Sequence, residues 1–248
     1  PDLELQIIAT GMHLSPEYGL TWEGIQQDGF FINEKVEMLL SSDTTVGIAT
    51  SLGVGTIGFA TAFDRLKPDI VVVLGDRFEI LAAAQAAMVA RIPIAHLHGG
   101  ETTEGVIDEA IRHAVTKMSH LHFVSTDVYR NRVIQMGEQP DRVYKVGAIG
   151  LDNIRKLDLM DRAHFERSID FSLGEKSFLV TYHPVTLKEN HSVTAMKELL
   201  RALDEFPDVT CIFTKPNADM ENHEISKLID DYVKGRPATC KSFVSLGQ

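Results

Sequence analysis

The run Ile70-Val71-Val72-Val73-Leu74, closed by Gly75-Asp76-Arg77, constrains this chain more than any other stretch. An unbroken series of branched apolar side chains predicts a strand buried on both faces, as in a parallel sheet covered by helices. Lys67-Pro68-Asp69 stops the element before it, because proline lacks the amide proton a helix needs. The signature recurs. Short apolar runs at 5–10, 94–97, 121–124, 143–146, 178–181 and 209–213 predict further strands, and 46–65, 80–91, 107–119, 129–136, 193–205 and 221–233 carry helical periodicity between them. Strand and helix in alternation predict βαβ units and an α/β fold.

At 248 residues the chain has room for one or two domains. A boundary is expected where RVYKVG gives way to a polar, charge-rich segment, which divides the chain into lobes at 1–155 and 156–248. The second lobe offers only two clear strands, FLVT and VTCIF, fewer than a doubly wound lobe requires. With Pro1 leading almost directly into LELQIIAT, and the sequence stopping just after Phe243 and Val244, the chain reads as a fragment of a longer protein. The longest apolar candidate, 80–95, is broken by Gln85, Arg91 and Pro93, so no membrane span and no membrane partner are expected. With 24 Lys and Arg against 35 Asp and Glu, the net charge is −11, which opposes binding to nucleic acid or anionic lipid. Two cysteines, Cys211 and Cys240, form neither a disulfide framework nor zinc spacing and suit a reducing cytoplasm.

Ligands of open parallel sheets sit beyond the carboxyl ends of the strands. Here those ends are Gly11-Met12-His13, Gly75-Asp76-Arg77 and His98-Gly99-Gly100-Glu101. Each joins glycine, which permits close backbone approach, to side chains able to move protons or stabilise charge. The helix beginning Ile107-Asp108-Glu109 places Asp108 beside Arg112, with His113 adjacent. Ordinary helix ion pairs would explain that spacing, but the glycine-rich loop before it would also let these groups gather at one cleft. In the second lobe, His183-Pro184 and Pro216-Asn217-Ala218-Asp219 follow strands, either as plain turns or as a nucleotide-recognition surface. The pairs His96-x-His98 and His120-x-His122 invite a metal reading. Core histidines with satisfied hydrogen bonds are the plainer reading, so no metal and no cofactor are expected.

Taken in order, GMHL, LKPDIVVVLGDR, HLHGGETTEGVIDEAIRHAVTKMSHLHF, QMGE, YHPVT and PNAD resemble the hydrolysing UDP-N-acetylglucosamine 2-epimerases across essentially the whole chain. The resemblance implies two Rossmann-like lobes of the GT-B type with a UDP-sugar substrate, and a homodimer or homotetramer. It also implies family segments before Pro1 and beyond Gln248. The implied reaction eliminates UDP from UDP-N-acetylglucosamine to a glycal and hydrates it to N-acetylmannosamine, a precursor of sialic-acid-type sugars. By resemblance Asp76 and Asp108 match catalytic acids, Arg77 and His13 match substrate-site positions, and His183 and Asn217 match nucleotide-site positions.

Where many members read His-Ile-Glu-Gly-Gly-Glu, this chain reads His96-Leu97-His98-Gly99-Gly100-Glu101. His98 or Glu101 is therefore expected to take the proton-transfer role, imidazole being a competent base near neutrality. The expected catalytic set is Asp76, His98, Glu101 and Asp108, and the expected binding set is His13, Arg77, Arg112, His113, His183, Asn217 and Asp219. The same change leaves room for a UDP-2,4-diacetamido sugar as substrate. Further alternatives are a non-hydrolysing epimerase, a sugar-nucleotide-binding module without catalysis and, as a minor option, a metallohydrolase.

Overall fold

A computed structural model describes residues 3–183, 191–216 and 222–246. The chain divides into two units, one of Pro1–Ser15, Leu20–Ser42 and Val46–Leu157, the other of Pro16–Gly19, Asp43–Thr45 and Asp158–Gln248. The short segments tie into the second unit through polar contacts. The Nδ2 of Asn222 donates to the Tyr18 hydroxyl at 2.5 Å, and His223 Nδ1 lies 3.2 Å from Glu17 Oε1.

In the first unit, β1 (Ile8–Thr10) leads through a 3-10 turn at Gly11–Leu14 to α1 (Trp22–Gln27), β2 (Glu34–Val36) and α2 (Thr45–Leu66). There follow β3 (Val71–Leu74), α3 (Phe78–Ala90), β4 (Ile94–Leu97), α4 (Asp108–Met118), β5 (Leu121–Val124), α5 (Asp127–Gln135), β6 (Val143–Lys145) and α6 (Gly150–Lys156). β1 pairs with β2, and β3-β4-β5-β6 form a separate sheet in that order, every pairing parallel. One core joins them: Val36, Met38, Phe59, Phe63, Val73, Phe78, Ile94 and Val115 pack together with the alanines of α3. Ala82, Ala84 and Ala87 are wholly buried, and such small side chains let a helix lie close to its neighbours.

Two expectations need correction here. β3 is an edge strand of the four-stranded sheet. Val73 is buried while Val72 and Leu74 are 64% and 50% exposed, because only one face of β3 meets the α2 and α3 core. Second, α2 is a helix of 22 residues, long and apolar enough by length and composition to cross a membrane, where the sequence reading found no such segment. Its Gly, Ala and Thr content hides the apolar character from a search for large side chains. Gly47, Ser51, Gly55, Phe59, Ala62 and Phe63 are its buried face, and Phe59 and Phe63 sit in the core.

The second unit contains α7 (Arg162–Ser168), β7 (Ser177–Thr181), α8 (His191–Asp204), β8 (Thr210–Thr214), α9 (Asn222–Lys234) and β9 (Cys240–Phe243), with the parallel order β7-β8-β9. Its core is Met196, Leu200, Leu203, Cys211, Phe213, Ile225, Ile229 and Cys240. The third strand, Cys-Lys-Ser-Phe, is absent from the sequence reading because only its ends are apolar; its pairing with β8, Cys240 opposite Cys211, makes it a strand. Both thiols are free and buried, and burial pushes that of Cys211 up to about 11.

Candidate active site

The carboxyl ends of β3 and β4 open onto a cavity of about 820 Å³ lined by Leu74, Gly75, Asp76, His98, Glu101 and Arg112, and on its far side by residues of 149–156. Four of the expected residues thus converge within one unit. Gly75 takes a left-handed φ of +80° directly before Asp76, a conformation glycine adopts at little cost. His98 takes φ +64° without being glycine, which costs about 1 kcal/mol. This turn lifts His98 out of β4, so His96 and His98 do not share a strand face as alternation predicts; strained backbone of this kind concentrates at functional sites.

Arg112 organises the cavity wall. Its side chain is 4% exposed. One terminal nitrogen donates to the Glu101 carbonyl and to Glu109 Oε2, each at 2.9 Å. The other donates to Asp76 Oδ2 and, at 2.9 Å, to Thr103 Oγ1. The planar fork of guanidinium suits such multiple pairing. The helix partner of Arg112 is thus Glu109 at i−3, one residue beyond the Asp108 that the spacing suggests. Burial alone would raise Glu109, but the Thr103 amide, His113 and Arg112 outweigh it and hold the carboxyl below its ordinary range.

His98 and Glu101 meet directly. Nδ1 of His98 lies 2.9 Å from Glu101 Oε1, and the Ser125 hydroxyl donates to that same oxygen at 2.9 Å. Behind them, His96 is fully buried. Its Nε2 donates to the Gly75 carbonyl at 2.8 Å, and Nδ1 lies 3.2 Å from Thr116 Oγ1. Burial lowers its pKa to about 4, so the ring is neutral at pH 7 and Nδ1 serves as an acceptor. His122, opposite His96 in the sheet, is likewise lowered by burial, against the opposing pull of Glu138. Both are core histidines, but only His96 has both ring nitrogens partnered; His122 Nε2 meets Glu138 at 3.2 Å while its buried Nδ1 has no partner among the described residues. Among the described residues no group of three or more His, Cys, Asp or Glu is arranged to hold a metal ion.

The remaining expected residues lie elsewhere. Asp108 opens α4 and is half-buried, outside the cavity lining. His113 Nε2 is 3.0 Å from Glu109 Oε1. The Arg77 Nε donates to buried Glu79 at 3.3 Å, and exposed His13 lies 2.8 Å from Thr21 Oγ1. In the second unit, His183 is exposed just past the end of β7. Asn217 and Asp219 fall outside the described residues.

Three contributors escaped the sequence reading. Ser125 follows β5 as Asp76 follows β3, so the strand-end rule would have found it. Asp152 and Lys156 line the cavity from α6. Their segment looks like a polar linker, and only its helical fold turns those side chains to a common site.

The profile of a family described as UDP-N-acetylglucosamine 2-epimerase matches residues 1–248. A GDP/UDP-N,N'-diacetylbacillosamine 2-epimerase (hydrolyzing) of Campylobacter jejuni is 41% identical over 246 residues, 99% of this chain and 64% of the relative. A UDP-N,N'-diacetylbacillosamine 2-epimerase (hydrolyzing) of Legionella pneumophila is 37% identical over 94% of this chain and 61% of its own length. The chain thus spans under two thirds of these curated relatives. The crystal structure of UDP-GlcNAc 2-epimerase from Neisseria meningitidis bound to UDP-GlcNAc superposes with a TM-score of 0.67 at 17% identity, covering 96% of this chain and 72% of that one. At such identity the likeness speaks for the fold, α/β with parallel sheets of the GT-B type.

Proposed function

This chain belongs to the UDP-N-acetylglucosamine 2-epimerase family, and from that premise we propose that it carries the catalytic lobe of a hydrolysing 2-epimerase acting on UDP-N,N'-diacetylbacillosamine. Residues 1–155 are the catalytic lobe in this reading, and 156–248 belong to the nucleotide-binding lobe. The observation that carries it is the convergence of Asp76, His98, Glu101 and Arg112 on one cavity beyond β3 and β4.

The chemistry asks for such a cluster. A base removes the C2 proton, the C–H electrons form the C1=C2 bond, and the C1–O bond breaks toward UDP. Water then gives its oxygen to the resulting glycal at C1, while a proton returns to the opposite face of C2. The sum is UDP-sugar plus water to UDP plus the C2-epimeric free sugar. Asp76, His98, Glu101 and Asp108 are the proton-transferring candidates. Arg112 holds Asp76 and the Glu101 backbone in place, and Lys156 offers positive charge near the departing diphosphate. His13, Arg77, His113, His183, Asn217 and Asp219 remain proposed contacts to the sugar and nucleotide.

For the substrate, the printed names of the two relatives at 41% and 37% identity weigh toward the 2,4-diacetamido sugar. The sequence resemblance puts UDP-N-acetylglucosamine first and this sugar as its alternative. The test is direct. The full-length protein is incubated with each UDP-sugar, and free UDP and the released sugar are identified by NMR. Turnover of the diacetamido substrate at a kcat/KM about 10-fold or more above that for UDP-N-acetylglucosamine is expected, a difference of about 1.4 kcal/mol. A preference for UDP-N-acetylglucosamine, or epimerised UDP-sugar without free UDP, would overturn the assignment.

A further inference from the structure

Resting on the epimerase reading, we propose that Ser125, Glu101 and His98 act as one relay in which Nε2 of His98 is the base that removes the C2 proton, with Glu101 and Ser125 as positioning residues. The sequence leaves His98 and Glu101 as rival bases; their geometry makes them partners. An ionised carboxylate only accepts hydrogen bonds, so the 2.9 Å contact between His98 Nδ1 and Glu101 Oε1 places the ring proton on Nδ1. The lone pair of the neutral ring then lies on Nε2. That nitrogen has no hydrogen-bond partner among the described residues, and His98 lines the cavity.

Glu101 is itself held at both ends. Its carboxylate receives the Ser125 hydroxyl at 2.9 Å, and its backbone carbonyl receives Arg112 at 2.9 Å. The His98 amide donates to the Phe123 carbonyl at 2.9 Å, so the left-handed turn at His98 is anchored to β5, the strand that delivers Ser125. A base fixed in tautomer and orientation by a carboxylate is the arrangement imidazole needs to take a carbon-bound proton. In the step itself, Nε2 gains the C2 proton and becomes imidazolium beside the Glu101 carboxylate. The C–H electron pair forms C1=C2, and the C1–O pair leaves with UDP.

Asp76 is the competing base. One of its oxygens is already engaged by buried Arg112, which favours a supporting charge role. The charged groups facing His98 are Glu101 from its own loop, Asp76 after β3, Arg112 from α4, and Asp152 and Lys156 from α6.

The test uses the full-length protein. ¹⁵N NMR of the His98 ring should find the proton on Nδ1, and Glu101→Leu, which removes the acceptor, should take that preference away. This readout requires no turnover. On the UDP-sugar that the wild type consumes, His98→Gln should lower kcat about 100-fold or more with substrate binding retained. Ser125→Ala should lower kcat about 10-fold at near-constant KM, with Ser125→Thr restoring it. Full kcat in His98→Gln or a wild-type proton on Nε2 would each overturn the relay. Absence of turnover by the wild type on both UDP-sugars would instead bring down the epimerase reading, and the base role with it.

Discussion

His96 Nε2 lies 2.8 Å from the carbonyl oxygen of Gly75, so a histidine in the middle of β4 fixes the turn that presents Asp76. Burial lowers the pKa of the ring to about 4, against the Gly75 hydrogen bond, which the charged ring would also donate, so the ring stands neutral at pH 7. The unfolded chain, whose histidine titrates near 6.5, binds the extra proton first as pH falls. This contribution to stability is therefore complete above about pH 6.5 and is lost progressively down to about pH 4. At about 1.4 kcal/mol per pH unit the loss amounts to about 3 kcal/mol. Urea unfolding at pH 8, 6.5, 5 and 4 measures it, and His96→Gln should flatten that part of the slope. An unchanged slope would mean that other groups govern the acid sensitivity.

Arg112 connects four partners through two nitrogens, and lysine cannot reproduce that fork. Arg112→Lys should destabilise the first unit by about 1–3 kcal/mol, since a single ammonium keeps the charge but leaves some of these acceptors unpaired. It should also reduce kcat about 100-fold through the released Asp76. Denaturant midpoints and initial rates on the same preparation check both. Wild-type behaviour in either measurement would remove Arg112 from its organising role.

Two glycines after β3 and β4 separate backbone strain from steric strain. A Cβ on Gly75 would meet nothing within 4 Å, so only its φ of +80° opposes substitution. A Cβ on Gly100, at φ +77°, would stand 2.6 Å from the Tyr129 carbonyl oxygen and 2.7 Å from Val133 Cγ2. Gly75→Ala should therefore cost about 1 kcal/mol, and Gly100→Ala about 2–4 kcal/mol. Thermal melts of the pair would show this ordering; equal shifts would refute it.

Phe213 on β8 is fully buried in the second unit's core and meets Tyr232 edge-on with ring centroids 5.8 Å apart. Its replacement by alanine should cost about 3–5 kcal/mol through lost burial and a residual cavity. Calorimetry that resolves the unfolding of this unit would test it. A loss below about 1 kcal/mol would mean that the core around β8 and α9 closes over the gap.

The legible parts of this molecule were those written in local pattern. Val71–Leu74, Ile94–Leu97 and Leu121–Val124 announce themselves as strands through apolar runs, and the glycine that follows Leu74 announces the turn before Asp76. Elements whose apolar content is sparse escaped: β2 with Glu34 and Lys35, β9 with Lys241 and Ser242, and α6 with its charged face. Their structure comes from pairing or packing against distant segments, to which a local window is blind.

The sequence by itself determined the alternation of strands and helices and the polar residues gathered at strand ends. Tertiary structure decided how those residues are used. Only the fold turns His98 out of its strand at φ +64° onto Glu101, and only it brings Ser125 to Glu101 across 24 positions. It also selected Glu109 over Asp108 as the helix partner of Arg112. The physical reason is that residue type sets what a group can donate or accept. Which donor meets which acceptor depends on backbone turns and helix packing, whose energies are summed over contacts far apart in the chain.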